Sequence, residues 1–85
     1  MPYIKQEQRS VFDQHIGEMR GTIKNCGQLN YVITCLCRDY VREYGMHYST
    51  LNEVVGVLEC AKLELVRRLI NGYESDKAKE NGDVY

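Results

Sequence analysis

Few residues in this 85-residue chain combine the types and spacing that chemistry needs, and they fall on two stretches. The first is Asn30-Tyr31-x-x-Thr34-x-x-x-Arg38. At about 100° of rotation per residue, a helix puts Tyr31 and Arg38 two turns apart on one side. Thr34 and Cys35 lie between them, and Arg42 lies a turn further on. Tyr offers an apolar ring with a polar tip, and Arg offers a planar fork of donors. Such a pair can stack on a base and grip a phosphate, or it can be buried in a protein interface.

The second stretch carries Asn52, Glu59 and Lys62. Lys62 falls inside an apolar stripe, between Leu58 and Leu69. A Lys placed there must extend to water, pair with an acid or meet an anion. Glu59, three residues earlier, is the acid beside it. Asn30, Tyr31, Thr34, Arg38, Asn52, Glu59 and Lys62 are therefore the expected ligand-binding set. The two stretches can meet across a subunit boundary. No catalytic residue, metal ligand or cofactor is expected.

Other chemistry finds less support. Cys26, Cys35, Cys37 and Cys60 occur without a secretory pattern, so reduced thiols in a cytoplasmic protein are expected. Cys35-x-Cys37 lacks zinc-knuckle spacing, and on a helix the two point about 200° apart. Cys37 and Cys60 read as small apolar fillers. His15 and His47 stand alone. No phosphate-cradling glycine loop, dinucleotide fingerprint, zinc-protease pair or calcium loop occurs. Glu53, Glu59 and Glu64 point in different directions on a helix. That weakens a metal-dependent nucleotide hydrolase using Glu53 and Glu59, which remains the last alternative.

The elements that position these residues are helical. Apolar residues make up 44% of the chain and the net charge is −1, so it is neither disordered nor a dedicated nucleic-acid binder. No apolar run reaches the roughly 18 residues of a membrane span. Phe12, Ile16, Met19 and Ile23 predict a helix over 13–25, capped by Asp13, after a helical turn within 5–11. Leu29, Ile33, Leu36 and Tyr40 predict a helix over 28–44, stopped by an αL glycine at Gly45. Thr50-x-x-Glu53 reads as a capping box, with Ser49 as the other candidate cap, opening a helix over 50–71 that ends at Asn71-Gly72. The expectation is an all-α, three-helix bundle-like domain over 1–72. A polar extension over 73–85 follows, with a short helical piece at 73–80 and a tail. The third helix outruns what its partners can cover, so a homo-oligomer is expected.

Several segments carry a resemblance: Met1-Pro2-Tyr3-Ile4-Lys5, Leu29-Asn30-Tyr31-x-Ile33-Thr34, Leu51 through Glu64, Arg67-Arg68, and Glu80 through Tyr85. With these the chain resembles an uncharacterised family of small proteins of phages, prophages and bacterial genomes. Leu65-Val66, Cys35 and Cys37 depart from its pattern. The resemblance implies a genomic setting and no mechanism. In that setting the leading expectation is a small binding protein that sequesters an anionic ligand, such as a signalling nucleotide, between subunits. The alternative is a protein-interaction module, either an inhibitor of a host protein or an assembly factor.

Overall fold

The computed structural model describes residues 2–85, so Met1, the first residue of the opening motif, lies outside it. The chain is all-α, and no strand occurs among the described residues. A 3₁₀ turn at Gln6–Gln8 leads into α1 (Ser10–Met19), followed by α2 (Cys26–Tyr44) and α3 (Tyr48–Leu65). A π-helical turn, Val66–Ile70, joins α3 to α4 (Asn71–Asn81) without a break in the helix. Two compact units result, Tyr3–Val54 and Val55–Tyr85, the latter with Pro2.

In the first unit, the turn expected ahead of α1 is present, and Arg9 Nε donates to Ile4 O at 2.9 Å. α1 starts three residues earlier and stops sooner than its periodicity suggests. Asp13 is not its cap. It lies in the first turn, where a carboxylate suits the helix dipole, and Arg9 holds the capping position. Gly21 is not a helix-interior residue either. At φ +85 it turns the chain out of the helix and strands Ile23 beyond the end. Thr22 then closes the terminus, its backbone N–H and its hydroxyl both donating to Met19 O.

α2 is built as expected, with a stronger start than its stripe showed. Asn25 is the N-cap and accepts from Gln28 N–H at 2.8 Å. Gln28 Oε1 in turn accepts from Lys24 N–H at 2.6 Å. That reciprocal pair carries Gly27 into the first turn. Gly45 ends the helix with its N–H on Val41 O at 2.8 Å. It does so at φ 106, ψ 148, an extended left-handed conformation confined to glycine, and not in αL.

The capping box at Thr50 does not form. His47 O accepts the first helical bond, from Leu51 N–H at 3.0 Å, so Ser49 and Thr50 lie inside the first turn of α3. Thr50 is buried at 6% exposure, which explains a β-branched polar residue there better than capping does. Val41 is the one buried hydrophobic side chain among the described residues.

In the second unit the helix passes through Asn71-Gly72 and ends at Gly82 (φ +91), whose N–H bonds Ala78 O. Glycine inside a helix costs about 1 kcal/mol, but Glu74, Lys77, Ala78, Lys79 and Glu80 are strong helix formers. Lys77 adds a 3.2 Å bond to Glu80 and sits 5.6 Å over the Tyr73 ring. Residues 82–85 form the expected non-helical tail.

Candidate functional site

Asn30, Tyr31, Thr34 and Arg38 all lie on α2, exposed to solvent. Helical spacing puts Asn30 and Thr34 one turn apart, and Thr34 Oγ1 donates to Asn30 Oδ1 at 3.0 Å. Tyr31 is 69% exposed and meets the half-buried Cys35 a turn further along. The hydrogen bond with Cys35 pushes the Tyr31 hydroxyl above its ordinary value. Electrostatic repulsion from Cys35 adds to that, and Arg38 pulls the other way. Arg38 Nε donates to Asp39 Oδ1 at 3.0 Å. That bond and the Asp39 charge hold the guanidinium above its ordinary value.

Asn52 is exposed on α3 within the first unit. Glu59 and Lys62 lie on α3 in the second unit, where Lys62 Nζ sits 3.0 Å from Glu59 Oε1. The stripe lysine has thus taken the acid pairing that its spacing allowed. Both cations of the expected set, Arg38 and Lys62, already hold a carboxylate.

Spacing predicts the Lys62 pairing. Asp39 and Cys35 as partners of Arg38 and Tyr31 were missed, although one is adjacent and the other lies at i+4. Glu59 is committed to Lys62, and Glu64 takes a two-pronged bond from Arg67. No group of three or more acids, His and Cys that could hold a metal occurs among the described residues. All four cysteines are free. Cys60 is exposed and fills no core. No helix among the described residues is long and apolar enough to cross a membrane.

A sequence profile described as a domain of unknown function, DUF6899, matches residues 1–84. The chain belongs to this family. The DUF6899 match takes in both candidate stretches, the π turn and all but the last residue of the tail. Neither a curated protein nor a solved structure matches the chain.

Proposed function

We propose that the chain is a binding protein that works by associating through its helix faces, as an interaction module in a homo-oligomer. The observation that supports this is the surface. Phe12 and Ile16 on α1, Leu36 and Tyr40 on α2, and Leu58 and Leu65 on α3 are all exposed. These are the stripes that periodicity assigns to burial, and apolar surface on this scale marks a site of association. On α2 the opposite face carries Tyr31 and Arg38, residue types enriched at the centres of protein interfaces.

The test compares the purified full-length protein with its Tyr31→Ala, Arg38→Ala variant, each as bait in host lysate. A stoichiometric protein retained by wild type and lost by the variant supports the reading. Equal retention by both removes α2 from it.

A second reading, capture of a small anionic ligand such as a nucleotide, draws on the exposed Tyr31 ring beside Arg38. The ring would stack on a base, and the guanidinium would leave Asp39 for a phosphate. Calorimetric titration with a panel of nucleotides tests it. Heat abolished by Tyr31→Ala favours it, and no heat with any nucleotide counts against it.

A further inference from the structure

The stripe along α3 has a period that a single chain does not need. Val55, Leu58, Lys62, Leu65 and Leu69 are spaced three, four, three and four residues apart, and Leu51 lies four before Val55. That is the a/d alternation of a coiled coil, with Leu51, Leu58 and Leu65 at d and Val55, Lys62 and Leu69 at a. The single chain leaves this seam open. Val55 is 63% exposed, Leu58 42%, Leu65 51% and Leu69 63%. Helices of this length draw most of their stability from covering such a face.

We propose that α3 is the seam of an antiparallel homodimer centred near Cys60, with Lys62 as the residue that fixes its register. Two observations select a second copy of this chain in that orientation. The first is that the seam is palindromic. Antiparallel pairing sets a opposite d, so Val55 of each copy meets Leu65 of the other, and Leu58 meets Lys62. Leu51 then meets the π turn, where the widened helix lets Leu69 and Ile70 straddle the seam.

The second is charge. In a parallel pair the two Lys62 ammonium groups face each other within one layer. In the antiparallel pair each Lys62 lies beside the other copy's Leu58 and Glu59. The Glu59–Lys62 contact already present at 3.0 Å then becomes half of a neutral four-charge cluster that straddles the twofold axis on one face of the helix pair. A single polar a position of this kind selects register at some cost in stability.

This inference rests on the homo-oligomer proposed above and names its seam; it is independent of what α2 binds, and cross-linking through Val55→Cys alone would overturn the seam without overturning the oligomer. Lys62 becomes a specificity residue of self-assembly and not a ligand contact.

The test is sedimentation of the full-length protein and of Lys62→Leu and Leu58→Asp variants, with helicity checked by circular dichroism. Lys62→Leu fills the seam and is expected to tighten the dimer by about tenfold or more. Leu58→Asp is expected to weaken it by at least about as much, because it buries a carboxylate in an apolar layer. Orientation is read in a background with Cys26, Cys35, Cys37 and Cys60 changed to Ser, using a short bismaleimide. Ala61→Cys is expected to cross-link across the twofold axis and Val55→Cys is not. A protein that stays monomeric, an unchanged dimer in Lys62→Leu, or cross-linking through Val55→Cys alone would overturn the proposal. The Lys62→Leu arm stands even where Leu58→Asp fails to fold.

Discussion

Lys62 places its ammonium 3.0 Å from Glu59 Oε1, one turn back on the same face of α3. Both side chains are more than half exposed in the single chain, so water screens the pair. A double-mutant cycle with Glu59→Gln and Lys62→Met, read by thermal unfolding at a dilution that keeps the chain monomeric, is expected to give a coupling of about 0.2–0.5 kcal/mol. At concentrations that favour association the coupling is expected to rise, since the second copy shields the pair.

The start of α2 depends on Asn25. Asn25→Ala removes the acceptor for Gln28 N–H and is expected to cost about 1 kcal/mol in urea unfolding, with Asn25→Asp or Asn25→Ser restoring most of it. Thr50→Ser makes the contrast. A capping hydroxyl would tolerate that change, whereas a buried β-branched residue loses a packed methyl, at about 1 kcal/mol.

The three positive-φ glycines should separate by what surrounds them. An added Cβ at Gly21 or Gly82 meets open space, so alanine there bears only the backbone strain, about 1–3 kcal/mol. At Gly45 the Cβ would come within 2.7 Å of the His47 ring. Gly45→Ala is expected to be the most destabilising of the three by chemical denaturation. His47→Ala in the same chain is expected to recover the steric part and leave the strain.

Tyr31 and Cys35 offer a pH readout. The thiol raises the Tyr31 hydroxyl, so the neutral phenol persists to higher pH than in an isolated tyrosine. Following the Tyr31 ring by NMR, Cys35→Ala is expected to move its titration down toward the ordinary value of 10.0. Arg38→Met is expected to move it up, because the guanidinium favours the phenolate. An unmoved titration in both variants would mean that α2 does not hold these three side chains together.

Where one signal dominated, the sequence was a sound guide. The stripe through Leu29, Ile33, Leu36 and Tyr40, with Gly45 as its stop, located α2 to within two residues. It failed where two local rules competed. Thr50-x-x-Glu53 satisfies the capping-box pattern, yet the chain had already turned helical at Tyr48, one residue after the His47 carbonyl could accept. Asn71-Gly72 carries the residues of a helix end, but the π turn before it and the helix formers after it carry the helix on to Asn81. At the candidate site, i,i+3 spacing was enough to pair Lys62 with Glu59. Nothing in spacing told that Arg38 would turn to its neighbour Asp39, since a contact between adjacent helical residues rests on rotamer choice.

Native mass spectrometry of the freshly purified full-length protein tests the central claim, association through exposed helix faces, most directly. The account expects a closed homo-oligomer built from dimers, with or without a bound species. A bare monomer across the accessible concentration range would contradict it.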